Sequence, residues 1–463
     1  MKTYQADQIK NIALLGNSGS GKTTLAEAML FSGGVVERRG TIEGKNTVSD
    51  YRPIEQENGN SIFSTVLYTE FQNHKINILD TPGLDDFSGG VISSLYVSDA
   101  AVIVINVQNG VEVGTEIHFK HTEKNNKPVI FVLNGFDHEK AHFEKSIEMI
   151  RERLSNDVII IQYPVNEGTG FNSIIDVLRM KMLRYTKEGG KAEVVDIPAD
   201  QADKAAELHA SLVEKAAESD EALMELFFSN DNLTEEEIRK GIAKGIVNRG
   251  MFPVLCVSAK NNIGVDGLME FISIEAPSIK DSPAKLNSKG VEVKPDPAGP
   301  ASVYIFKASI EEHIGEINYF RVFSGKITEN LDVINTSNGT KERLAQLNVT
   351  AGKNRSRVSE LNVGDIGAFV KLKNTKTGHT LNAPGNDWKY QGMKFPEPKY
   401  RTAIKAQSES DDEKLGESLN KIHMEDPTII VEYSKELKVI KAKMKFLNIK
   451  AICIVCRITK QIL

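Results

Sequence analysis

The stretch GNSGSGKT at 16–23 constrains this chain more than any other feature. It fits GxxxxGK[ST], a loop whose glycines let the backbone curl until its N–H groups point inward at phosphate oxygens. A helix starting there adds a partial positive charge. The flanks supply the context the motif needs: NIALL before it reads as a strand, and TTLAEAMLFSGG after it as a helix ending on glycine. Asn17, Ser18, Gly19, Ser20, Gly21, Lys22, Thr23 and Thr24 are therefore the candidate phosphate cradle. Within it, Lys22 neutralises the β- and γ-phosphates and the Thr23 hydroxyl ligates Mg²⁺.

Around this loop, residues 11–186 alternate short apolar runs with helical stretches, the pattern of an α/β domain with a mostly parallel sheet. The strand candidates are 11–15, 75–80, 101–107, 128–134 and 158–163. Long amphipathic helices begin near 200, and Thr234 and Glu237 have capping-box spacing. The α/β texture returns at 253–258, so the helical block, about 165–250, reads as an insertion. Five prolines among polar and glycine neighbours at 277–300 have linker composition. β-rich runs broken by SG, NG and TG pairs follow, suggesting a small β-barrel. The expected architecture is multidomain α/β plus β. A nucleotide-binding domain spans 1–280, a linker 281–300, a β-barrel 301–385 and a partial α+β domain 398–463.

Two further segments bear on the ligand. Asp80, Thr81, Pro82 and Gly83 close the strand KINILD and look like a magnesium and phosphate sensor. Asn134, Gly135, Phe136 and Asp137 follow the strand PVIFVL. There the Asp137 carboxylate can accept two hydrogen bonds from guanine, donors that adenine lacks. Asn134 would tie the strand end to the base and the loop. Ser258, Ala259 and Lys260 follow another strand, PVLCV. A small-molecule kinase or an ATPase on the same loop is the outside alternative.

Together these residues resemble the translational GTPases, most closely bacterial elongation factor G. NGFD at 134–137 resembles the family's NKxD, and SAK at 258–260 its fifth element. ENGNSI (57–62) stands at the family's ERGITI, and DTPGLDDF (80–87) at its DTPGHVDF. FRVFSG, VGDIGA and TGHTL resemble its second domain, and EDPT (425–428) its third. The resemblance implies GTP/GDP and Mg²⁺ as ligands, with Thr23, Ser61 and Asp80 around the metal. It implies Lys22, Ser61, Asp80 and Gly83 at the reaction centre, and the ribosome, rRNA and ribosomal proteins, as partner in tRNA–mRNA translocation. A ribosome-protection or recycling factor, or a GTP-gated ribosome-binding protein without useful catalysis, are the alternatives.

The chain departs from the family in its catalytic elements. Leu84 stands where the family keeps its water-positioning histidine, Asn58 at its arginine and Ser61 at its threonine. Gly19 takes the place of the phosphate-loop aspartate, and Gly135 that of the base-covering lysine. The expectation is GTP binding with slow turnover.

A formal net charge of −6 gives no whole-chain signal for nucleic acid, and three cysteines cannot form a disulfide framework. The cysteine count makes a reducing cytoplasm the default, no apolar run approaches membrane-spanning length so no span is expected, and the protein is expected to be monomeric. Leu437 to Leu463 carries seven Lys/Arg and no acidic residue. An RNA-contacting tail, half a metal or redox site at Cys453 and Cys456, and a frame change or truncation are the readings, the last preferred.

Overall fold

A computed structural model describes residues 2–186, 190–311, 313–398, 400–404, 412–434 and 439–444. The first domain opens with β1 (Ile9–Leu15), α1 (Lys22–Ser32), α2 (Pro53–Asn58), the hairpin β2 (Thr65–Phe71) and β3 (His74–Asp80), and α3 (Ser88–Val97). It continues through β4 (Ala100–Asn106), α4 (Val113–Lys124), β5 (Val129–Asn134), α5 (Phe143–Arg153) and β6 (Val158–Ile160). An insertion then supplies β7 (Gln162–Pro164), β8 (Ser173–Asp176), β9 (Lys181–Arg184) and β10 (Glu193–Val195), followed by α6 (Ala202–Glu218), α7 (Glu221–Asn230) and α8 (Glu235–Val247). β11 (Phe252–Val257) and α9 (Val265–Glu275) return to the main body.

The main sheet runs β2-β3-β1-β4-β5-β11-β6, parallel except for β2. Its inner strands are continuous apolar runs, AAVIVIN and VIFVLN, as strands covered by helices on both faces require. The expected strand at 158–163 is two strands in two sheets. The Gln162 side chain accepts the Cys256 N–H at 3.4 Å, a ladder position a continuing β6 backbone would have filled. The chain then turns into β7, which pairs with β8. The insertion expected to be helical from about 165 therefore starts as a four-stranded antiparallel sheet, and its helices begin at Ala202. Thr234 caps α8 with Glu237 in a capping box.

The segment expected to be a linker holds a small hairpin, β12 (Lys285–Leu286) with β13 (Glu292–Val293). The second domain is an antiparallel ladder of eight strands built around the long hairpin β14 (Ser302–Glu311) and β15 (Gly315–Ser324). A third unit sets Val439–Met444 between Tyr400–Ile404 and Ile430–Ser434, with α10 (Asp412–Glu425) preceding the last pair in sequence. Val439–Met444 of the basic segment thus lies inside a sheet, while Cys453 and Cys456 fall outside the described residues. No helix among the described residues is long and apolar enough to cross a membrane.

The two ends of the main sheet do different work. The carboxyl ends of the strands carry the loops of the candidate site. At the opposite end, buried polar side chains dock the second domain. Asp99 accepts from Arg321 at 2.5 Å, from Ser282 at 2.9 Å and from the Asn11 side chain at 2.7 Å. Lys75 pairs with Asp365 at 2.7 Å, and Asn77 joins Asp365 to Asn11. Breaking a buried pair leaves one charge uncompensated, at a cost of about 3–5 kcal/mol. Asp99→Ala should therefore lose about that much stability in chemical denaturation; a loss below about 1 kcal/mol would mean that water or another group takes over Arg321.

Candidate nucleotide-binding site

β1 ends directly into the glycine-rich loop, and α1 begins at Lys22. Gly21 takes φ 91°, and a Cβ there would collide with the Asn134 side-chain amide, so only glycine fits. Lys22 is buried and its Nζ donates to the carbonyls of Gly16 at 3.0 Å and Asn17 at 2.9 Å. Burial pushes its pKa down to about 8, against the pull of Asp80 and Asp50. Asn17 donates to the Ser18 carbonyl at 3.1 Å, and the Ser18 hydroxyl to Asn60 at 2.9 Å. The Ser20 Oγ is buried without a hydrogen-bond partner. Gly19 lines the same cavity as Ser18, Lys22, Thr23, Asn60, Ser61 and Gly83, while Thr24 sits half-buried in the first turn of α1.

The three residues expected around a metal come together. Thr23 Oγ1 donates to Asp80 Oδ2 at 2.9 Å and lies 3.2 Å from Ser61 Oγ. Ser49 also donates to Asp80 Oδ2, at 2.7 Å. The other oxygen of Asp80 and Oδ1 of Asp50 are buried with no hydrogen-bond partner. Burial raises both carboxyls, and Glu55 and Asp80 push Asp50 further up. Two orphaned carboxylate oxygens beside two hydroxyls are a donor set suited to a hard cation. Ser49, Asp50 and Asn60 were not foreseen as site residues. They belong to a segment, TVSDYRPIEQENGN, whose spacing matches no phosphate or metal motif by itself.

Glu55 fixes that segment by accepting the N–H groups of Ile62 and Phe63, each at 3.0 Å. Arg52 stacks on the Phe63 ring at 4.1 Å and pairs with Glu425, at the end of α10, at 2.8 Å. The stretch carrying Ser61 is thereby tied to the third unit. From the other side, Gly83 packs so closely that a Cβ would lie 2.6 Å from Lys22 Nζ and from the Ser18 nitrogen. Leu84 comes next, ahead of a short turn over Asp85–Phe87, with its side chain 38% exposed.

At the end of β5, Asn134 bridges two loops. Its Nδ2 donates to the Ser20 carbonyl at 2.9 Å, and its Oδ1 accepts the Ala259 N–H at 3.0 Å. Asp137 accepts from the Ser258 hydroxyl at 2.6 Å, which orients the carboxylate. Arg39, another residue the motifs did not reveal, donates to the carbonyls of Ala259 and Lys260 at 3.0 Å. The elements expected from 16–24, 134–137 and 258–260 thus form one contiguous surface.

The domain order decides the family. Residues 7–278 match the elongation factor Tu GTP binding domain, 300–383 elongation factor G domain 2, and 395–439 elongation factor G domain III. The chain belongs to the translational GTPases. A crystal structure of a Thermus thermophilus protein superposes on this translational GTPase with a TM-score of 0.87 at 26% identity, covering 98% of this chain and 66% of that one. The chain accordingly spans about two thirds of the length of that relative. Its first domain is a nucleotide-binding domain of the elongation-factor class.

Proposed function

We propose that the chain binds GTP and GDP with Mg²⁺, engages the ribosome as a factor of the elongation factor G kind in tRNA–mRNA translocation, and hydrolyses GTP slowly. The observation that carries the binding half is the Asn134 bridge from Ser20 to Ala259 beside a Ser258-held Asp137. Loop N–H groups and Lys22 hold phosphate oxygens, Asn134 keeps loop and base pocket in register, and Asp137 reads the guanine edge. Thr23, Ser61 and Asp80 would hold the metal, with Asp50 nearby. When bound, the metal supplies charge neutralisation of the phosphates. Among the described residues no cluster of three or more His, Cys, Asp or Glu could hold a metal alone, which fits an ion shared with phosphate oxygens.

The slow half rests on Leu84, whose side chain can exclude water but cannot orient it. That same residue favours the second reading, a GTP-gated ribosome-binding protein in which nucleotide acts through differential affinity for two states. The deciding experiment is competition binding of GTP, GDP, ATP and a non-hydrolysable GTP analogue, with and without ribosomes, followed by single-turnover hydrolysis with ribosomes in excess. Guanine preference with slow turnover supports the proposal. ATP binding tighter than GTP would overturn the roles of Asn134 and Asp137, and a rate equal to that of an ordinary elongation factor G would overturn slow hydrolysis.

A further inference from the structure

The phosphate loop is held at a place that neither motif nor family resemblance explains. Gly16 is the first residue past β1, and its N–H donates to Nδ1 of His118 on α4 at 3.0 Å, in a buried contact. His118 is only 2% exposed. The acceptor role requires Nδ1 to carry no proton, so the neutral ring holds its proton on Nε2. The carbonyl of the same glycine accepts from Lys22 Nζ at 3.0 Å. One residue therefore links a histidine on α4 to the lysine of the loop.

A second contact comes from the same helix face. Gly114 lies four residues before His118, one turn away on the same side of α4. It packs so tightly on Asn17 that a Cβ would overlap the asparagine's side-chain oxygen. α4 thus touches the first two loop residues through a hydrogen bond and a close approach. Asn134 performs the matching task further along, at the Ser20 carbonyl.

We propose that His118 is a positioning residue of the nucleotide site: by accepting the Gly16 N–H, with Gly114 seated on Asn17, it sets where the phosphate loop starts. The proposal rests on the nucleotide-binding reading above. Without the acceptor, a buried N–H is left unpaired at the hinge between β1 and the loop, and Gly16 and Asn17 move to resolvate it. Both carbonyls that tether Lys22 move with them.

The test compares His118→Leu with His118→Asn in the full chain. Asparagine places Oδ1 at the same bond separation from Cα as the histidine Nδ1, and keeps the acceptor. His118→Leu is expected to weaken GDP and GTP binding about tenfold, equivalent to about 1.4 kcal/mol. It should also speed deuterium uptake at Gly16 in nucleotide-free protein, while His118→Asn stays within about threefold of the parent on both readouts. Gly114→Ala, which crowds Asn17 without touching His118, should weaken binding as well and covers the case in which the leucine variant does not fold. Equal losses in the leucine and asparagine variants would reduce His118 to core packing and overturn the proposal. So would unchanged affinity in the leucine variant or, where that variant does not fold, in Gly114→Ala. A parent chain that binds no guanine nucleotide, but whose Gly16 exchange still responds to His118→Leu, would instead defeat the nucleotide reading while leaving the hydrogen bond's role in seating the loop.

Discussion

Asp137→Asn is expected to weaken GTP binding by about a hundredfold or more and to improve binding of xanthosine triphosphate. The carboxylate offers acceptors only, which match the ring N–H and the amino group of guanine. An asparagine keeps one acceptor and presents an N–H₂ group to the guanine amino group, donor against donor. Xanthine has a carbonyl at that position, so the same N–H₂ gains a partner. The Ser258 hydroxyl, now 2.6 Å from Asp137 Oδ1, can still donate to the amide oxygen and keep the side chain oriented. Gly135 has no side chain with which to cover a base. Discrimination is left to Asp137 more than it would be with a long side chain at 135. Competition against a fluorescent guanine nucleotide reads the switch. If the variant keeps its preference for GTP over xanthosine triphosphate, Asp137 does not face the guanine edge.

Why the glycine-rich loop and the loop proposed to read the base stand out in the sequence while other parts do not is a matter of sequence distance. Gly21, Lys22 and Thr23 announce themselves because a local backbone requirement and two side-chain chemistries fall within one turn. Asn134 and Asp137 stand at the end of a short, β-branched apolar run that reads as a buried strand. Ser61 and Asp80 needed the family resemblance to be joined to Thr23, yet their hydroxyl and carboxylate do meet it. By contrast, Arg321 and Asp99 meet across 222 residues, and Arg52 and Glu425 across 373. Neither residue of such a pair differs in sequence from a solvated surface charge. Asp50 sits in a segment without periodicity, and it is buried in a cavity it shares with Lys22, Thr23 and Ser61. His118 reads as an ordinary helix residue until Gly16 is seen in front of it. The division of 158–163 into two strands was hidden for a related reason: the decisive group is the Gln162 side chain, which imitates backbone where the apolar pattern predicts continuity.

Leu84→His is expected to raise the ribosome-stimulated hydrolysis rate by roughly 10²–10⁴-fold while leaving GDP affinity within about threefold of the parent. Position 84 is one residue beyond Gly83, which lies against Ser18 and Lys22, so a side chain there starts beside the phosphate end of the site. The leucine is 38% exposed and packs in no core, so a histidine replaces it without opening a cavity. The proposed binding atoms lie elsewhere, on the loop backbone, Lys22, Thr23, Asn134 and Asp137, which is why affinity and rate should separate. An imidazole offers both a donor and an acceptor, and so can hold water in line where leucine can only exclude it. A gain confined to single-turnover chemistry, with unchanged binding, would place the limitation at this side chain. If the histidine variant turns over no faster than the parent, some other group limits the step. Ser61 is then next in line, because it meets Thr23 from a segment held by Glu55, by the Arg52 contacts with Phe63 and Glu425, and by the Ser18–Asn60 hydrogen bond. Ser61→Thr would stiffen that contact by adding the β-methyl group that restricts χ1.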